Sequence, residues 1–308
     1  MPSNKPAYSI PDQILLLKSR GMIFKNEAAA NHLLSNISYY RIKGYWWDMQ
    51  DNLNSHTFKP DTYFEDIIDR YNFDRQLRLI LFDGIERIEI ALRTKMIYIL
   101  SLKFGGLWYL DSSIFQNGTI EINGTVKTPH LHTVAELTKE FNRSQEIFIK
   151  DHRARYPNVP ADAWKILEVA SMGCLSKLYK GLNAQLPEKS QIAQEMGFNI
   201  HSELSSWLEA ITYLRNIIAH HSRLWSRTMV KKPNNLNNPK GTWFSSPLLP
   251  VQEKKIFLIV SALLYMCNQV TPGHHIKNKI LQLFVEYPNV PIYKLGFLNH
   301  WEKTPIWI

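Results

Sequence analysis

Between Asp61 and Phe104 the residues Ile67, Tyr71, Leu77, Leu81, Ile85, Ile88 and Leu92 recur mainly at three- and four-residue steps. That period marks a helix burying one face and predicts the longest regular element of the chain. Asp74, Arg75, Arg78, Asp83, Glu86, Arg87, Glu89 and Arg93 are interleaved with it. They are expected in solvent or in ion pairs, where i,i+4 spacing such as Glu89 with Arg93 adds only about 0.3 kcal/mol. Gly84 is costly inside such a helix unless another backbone approaches closely. Further helical patterns cover Ile10–Ser19, Asn26–Ile37, Leu131–Arg153, Ala163–Leu182, Glu203–His220, Val251–Gln269 and Thr271–Val285. In the second-last pair of segments, Pro187–Met196 reads as a short helix ending in a turn at Gly197, and Gly173 marks either a tight crossing or a local break. Gly105-Gly106, the excursion Asn117–Thr128, the Asn-, Pro- and Lys-rich stretch Lys231–Pro250 and the tail from Tyr287 read as irregular. Strand-like alternation is sparse apart from short hairpins. The expectation is an all-α protein, with an accessory helical region over 1–60 packed on a helical core over 61–308 as one unit.

The helix predicted over Glu203–His220 has a defined geometry. At about 100° per residue, Leu204, Trp207, Leu208, Ile211, Leu214 and Ile218 share one sector, the core face. Asn216 and His220, four residues apart, share another side. Arg215 lies on the flank, roughly 140° from His220. An unbroken helix therefore turns Arg215 and His220 away from each other. A distortion near Ala219, a long arginine reaching around, or two copies meeting across a two-fold axis would each bring them to one cleft.

Composition narrows the partners. The 308 residues are 45% hydrophobic and 20% charged, as in a globular protein, and a formal charge of +9 favours an anionic partner. Cys174 and Cys267 lie in apolar helical patterns and read as buried thiols. His220-His221 and His274-His275 diverge on a helix and have no carboxylate-rich triad nearby, so no metal site is expected. There is no phosphate-cradling loop and no nucleophile elbow, and no cofactor is expected. The start, Met-Pro-Ser-Asn-Lys-Pro, lacks the features of a secretory leader, and the apolar run Ile256–Cys267 is too short to span a bilayer. A cytoplasmic protein without membrane association is expected.

The densest chemistry is in Arg215-Asn216-Ile217-Ile218-Ala219-His220-His221. An arginine fork holds phosphate and an imidazole moves protons near neutrality. Together they suit metal-independent RNA cleavage, with His220 as acid or base, Arg215 balancing charge on the phosphate and Asn216 orienting either. The ribose 2′-OH supplies the nucleophile and selects RNA. Arg223 and Arg227, flanking Trp225, form a phosphate-binding edge if the helix continues. The bland alternative is a histidine meeting the negative end of its helix and an arginine in a structural ion pair. In Ser38–Trp47 the rings of Tyr39, Tyr40, Tyr45, Trp46 and Trp47 beside Arg41 and Lys43 either stack on bases or pack the N-terminal helices, packing being the weightier reading.

An ordered set of motifs runs from about Lys18 to Arg227. It comprises Tyr-Tyr-Arg-Ile-Lys-Gly-Tyr at 39–45, Phe-Asp-Arg-Gln-Leu-Arg at 73–78 and Ile-Glu-Arg-Ile-Glu-Ile-Ala-Leu-Arg-Thr at 85–94. Trp164 with Glu168, Gly173 before Leu175-Ser176, and Arg-Asn-Ile-Ile-Ala-His-His-Ser-Arg-Leu-Trp at 215–225 complete it. With these motifs the chain resembles the bacterial Abi-like (AbiD/AbiF) abortive-infection family, whose core belongs to the HEPN helical superfamily. The resemblance implies an all-helical HEPN-like bundle, a homodimer, and metal-independent endoribonuclease activity carried by Arg215, Asn216 and His220, with His221 auxiliary. It also implies a role in phage defence or as a toxin restrained by an RNA antitoxin. Glu86, Glu89 and Arg93 are left between structural salt bridges and support of the motif. A catalytically silent RNA- or antitoxin-binding protein is the alternative.

Overall fold

The computed structural model describes residues 7–52 and 54–308, so the segment 1–6 read above for a leader lies outside it. Thirteen α-helices occur among the described residues, together with two small hairpins. The axis is α4 (Phe64–Phe104), 41 residues and therefore about 60 Å long. Its first turn carries Glu65 and Asp66, which favour the positive helix end, and it stops at Gly105, whose φ of 80° suits glycine. The predicted stripe from Ile67 to Leu92 is buried except for the partly covered Tyr71, and Met96, Ile99 and Leu100 extend it.

Two helix groups cover α4. On one side lie α12 (Ile256–Val270) and α13 (Ile276–Glu286). On the other lie α8 (Met172–Gly181), α9 (Pro187–Glu195) and α10 (His201–Ala219). Gly84 is explained by the first group. A Cβ there would stand 2.5 Å from Leu263 Cδ2 and 3.0 Å from Ile276 Cδ1. Side chains of α12 and α13 fill the space, not the neighbouring backbone that the sequence suggested. The first twelve residues of α12 are all buried. No helix among the described residues is long and apolar enough to cross a membrane.

The N-terminal region comprises α1 (Ile10–Ser19), α2 (Glu27–Asn36), α3 (Tyr39–Lys43) and a hairpin of β1 (Gln50–Asn52) with β2 (Thr57–Phe58). It is tied to the start of α4 by Glu65, which accepts the backbone N–H groups of Lys25 and Asn26 at 3.0 and 3.1 Å.

Several predicted helices are shorter than their patterns. Leu131–Arg153 divides into α5 (Pro129–Arg143) and α6 (Ile147–Arg155). Ser144 leaves the helix at φ −65°, ψ 140°, its hydroxyl accepts the N–H of Glu146, and Arg153 donates to the exposed carbonyl of Ser144 at 2.9 Å. A serine able to bond its own backbone competes with the helix at such a point. Ala163–Leu182 breaks likewise into α7 (Ala163–Ile166), a 3-10 turn and α8, with Ala170 extended and Ser171 capping. The break, not a tight crossing at Gly173, is the outcome. Inside the expected loop 117–128, β3 (Ile120–Ile122) pairs with β4 (Thr125–Lys127) around Asn123-Gly124, both at positive φ, the turn chemistry that a two-residue hairpin demands. The pattern over Val251–Gln269 is interrupted at Lys255, which separates α11 (Pro250–Lys254) from α12. Past Tyr287 the tail forms 3-10 turns, and Phe297, Trp301 and Trp307 pack edge-on against each other.

Candidate functional site at the end of α10

Apolar packing fixes the roll of α10. Leu204, Trp207, Leu208, Ile211, Leu214, Ile217 and Ile218 are buried, while Asn216, His220 and His221 are exposed and Arg215 is half-buried. The helix does not distort near Ala219; it stops there. His220 donates to Asn216 O at 3.1 Å, His221 to Ile218 O at 2.9 Å and Ser222 to Ile217 O at 2.9 Å. With His221 left-handed at φ 54°, this is the Schellman closure, which satisfies the last carbonyls of the helix. A non-glycine residue in that region costs about 1 kcal/mol, so the closing contacts outweigh strain at the histidine.

Asn216 and His220 therefore share one open face at the end of α10. No side-chain hydrogen bond joins any two of Arg215, Asn216 and His220 among the described residues; the backbone bond from His220 to Asn216 belongs to the helix end. Arg215 turns towards the middle of α4, where its charge acts on Glu89. Burial pushes the Glu89 carboxyl above its usual range, against the pull of Arg93 and Arg215. Arg93 binds Glu89 Oε1 at 3.0 Å and the carbonyl of Ala170 at 3.0 Å, and lies 4.0 Å from Glu168. It thereby pins the α7–α8 break to α4. The Arg215 side chain makes no hydrogen bond and no ion pair within 4 Å among the described residues, so its donor fork is unengaged. Glu86 is exposed, without the partners that Glu89 has.

Arg223 and Arg227 do not form the expected helical edge, because α10 ends before them. Arg223 is half-buried against Gly44, where a Cβ would stand 3.1 Å from its Cδ and Nε, and it donates to Trp225 O. Arg227 donates to Arg223 O at 2.7 Å. Arg41 reaches the motif directly, with Nη2 donating to the His221 carbonyl at 2.6 Å. Lys43 lies over the rings of Tyr40 and Trp47 at 5.7 and 5.0 Å. The aromatic run of 39–47 is thus divided. Tyr45 and Trp46 are buried, but Tyr40 is 80% and Trp47 43% exposed.

Sequence reasoning passed over the residue that holds this end of the molecule together. Asp74 of α4 is fully buried. Its Oδ1 accepts the N–H groups of Leu224 and Trp225 at 3.1 and 2.7 Å, and its Oδ2 accepts the Tyr45 hydroxyl at 2.8 Å and the Arg78 guanidinium. Burial drives this carboxyl up, while Arg78, Tyr45 and the two N–H groups oppose it. Every one of these contacts treats it as an acceptor, which fits the ionised form. Burial and the Asp74 charge in turn hold the Tyr45 phenol protonated, well above its ordinary range. Arg70, also buried, donates to Tyr45 O at 2.9 Å and Asp48 at 2.8 Å and lies over Trp225. The signal was present: Arg70, Asp74 and Arg78 fall in register with the buried stripe of α4, and charges in such positions are paired.

A cleft of about 640 Å³ beside the α5–α6 elbow holds Glu140 and Glu168 but none of Arg215, Asn216 and His220. At the end of α10, Asn216, His220 and His221 are exposed. No curated protein and no solved structure matches the chain. The model of the Abi-like protein family matches residues 32–226, a span that contains the helices α4 and α10, the Asp74 clamp and the Arg215–His220 segment. The chain belongs to the Abi-like protein family.

Proposed function

We propose that the protein is a metal-independent endoribonuclease of phage-defence or toxin–antitoxin type, acting in the cytoplasm as a HEPN-like homodimer. The observation that carries this reading is the end of α10, where His220 and Asn216 share an exposed face while Arg215, on the flank of the same helix, keeps its guanidinium donors unengaged. His220 takes the proton of a ribose 2′-OH as its oxygen bonds to phosphorus. The P–O5′ bond breaks, and the leaving 5′-oxygen receives a proton from an imidazolium. Arg215 balances the charge that grows on the non-bridging oxygens, and Asn216 orients phosphate or imidazole. The products are a 2′,3′-cyclic phosphate and a 5′-hydroxyl.

The roll of α10 keeps Arg215 and His220 of one chain on different sides, which favours a cleft completed by a second copy across a two-fold axis. Membership of the Abi-like family supports a defence role, with an RNA antitoxin as the restraining partner. The test incubates a defined RNA in excess EDTA with wild type, Arg215→Ala and His220→Ala of verified fold, alongside sedimentation to count protomers. Cleavage that resists EDTA, leaves cyclic phosphate ends and disappears in both variants is expected. Equal cleavage by wild type and His220→Ala sinks the assignment, whereas no cleavage by wild type, with RNA or antitoxin affinity preserved in His220→Ala, points to a catalytically silent binding protein.

A further inference from the structure

Resting on the RNA-cleaving reading, we infer that Tyr40, Lys43 and Trp47 form a stacking platform that delivers single-stranded RNA to the end of α10. The segment buries Tyr45 and Trp46 but leaves two other large rings to solvent. Tyr40 is 80% exposed and Trp47 43% exposed. The Lys43 ammonium lies over both, 5.7 Å from one ring centre and 5.0 Å from the other. One cation touching two rings orders them as a pair and leaves their outer faces to solvent. Every base has a π-face, and a phosphate follows each base, so a ring–ammonium–ring group matches the repeat of an unpaired strand. A duplex keeps its base faces stacked inside and offers nothing for such rings.

Charge and position favour the same occupant. The nearest acid in the segment, Asp48, is already engaged by Arg70 at 2.8 Å and Lys294 at 3.7 Å, so Lys43 is not neutralised by it. The formal charge of the whole chain is +9. The platform is joined to the motif within two residues. Arg41, on the same short helix as Tyr40 and Lys43, donates to the carbonyl of His221, the residue after His220.

The test uses an unstructured RNA oligonucleotide of about a dozen residues whose 2′-hydroxyls are methylated. It has no nucleophile, so binding is read by fluorescence anisotropy whether or not the protein is a nuclease. Tyr40→Ala and Trp47→Ala are each expected to weaken binding about tenfold, while Tyr40→Phe and Trp47→Phe retain it because the ring is kept. Lys43→Met is expected to weaken binding and flatten its salt dependence. The duplex form of the oligonucleotide should bind more weakly than the single strand. Alanine variants that bind like wild type overturn the inference, as does equal affinity for duplex. A wild-type protein that ignores the oligonucleotide overturns it in favour of a protein partner for the two rings. Cleavage retained in His220→Ala, with oligonucleotide binding that still falls in Tyr40→Ala and Trp47→Ala, sinks the catalytic reading alone, so the two failures are distinguishable.

Discussion

Asp74 is the residue whose removal should do most damage for the least change in volume. Replacing it with alanine leaves two backbone N–H groups, a phenol and the buried Arg78 guanidinium without their acceptor. Breaking a buried charge pair costs about 3–5 kcal/mol, a large part of the roughly 5–15 kcal/mol that holds a typical domain folded. Asp74→Asn is the more informative change. Its carbonyl oxygen still accepts from Leu224 and Trp225, and the Tyr45 hydroxyl can turn to accept from the new amide. What is lost is the charge facing Arg78, 5% exposed, and about 2–4 kcal/mol with it. Denaturant unfolding of wild type, Asp74→Asn, Arg78→Met and the double variant separates this term. In the Arg78→Met background the asparagine should cost under about 1 kcal/mol, since no buried cation is then stranded. An undiminished cost in that background, or an Asp74→Asn protein within about 1 kcal/mol of wild type, refutes the reasoning. Hydrogen exchange gives a second readout: the amides of Leu224 and Trp225 should lose protection in Asp74→Ala.

Two further outcomes follow from local geometry. His221→Gly removes the left-handed strain while keeping the closure of α10, so chemical denaturation should show unchanged stability or a gain of up to about 1 kcal/mol; a loss above about 1 kcal/mol would mean that the imidazole itself holds the turn. Lys189, 2% exposed, donates to the carbonyls of Lys180 and Leu182 at 3.1 and 2.7 Å, and burial lowers its amine from 10.5 to about 8. Because the folded state disfavours the ammonium, the penalty is complete below pH 8 and fades as pH rises to 10.5. The stability of wild type relative to Lys189→Met should therefore increase across that window, by at most about 3 kcal/mol, and a difference flat in pH would contradict it.

Periodicity was a good guide wherever burial alone decides structure. The stripe on α4 and the core face of α10 are where three- and four-residue spacing put them, because a long helix against other helices leaves few alternatives. It failed where single polar groups decide. The Ser144 hydroxyl turns the chain out of α5, that of Ser171 caps a new start at α8, and Asn123-Gly124 turns a hairpin inside what composition marks as a loop. At the candidate site, the side on which each of Arg215, Asn216 and His220 lies was legible from helix geometry. The fates of Arg223, Arg41 and Asp74 were not, because they depend on where α10 stops and on contacts between distant segments.

Those contacts also order the site in time. The His221 carbonyl is held by a residue 180 positions earlier and the Leu224 N–H by one 150 positions earlier. A chain emerging from the ribosome exposes Arg41 and Asp74 long before the segment they hold. Fragments ending short of it lack the histidines altogether, and those ending just after it lack α12 and α13, the cover of α4 on its other side. Truncated synthesis therefore yields no finished end of α10.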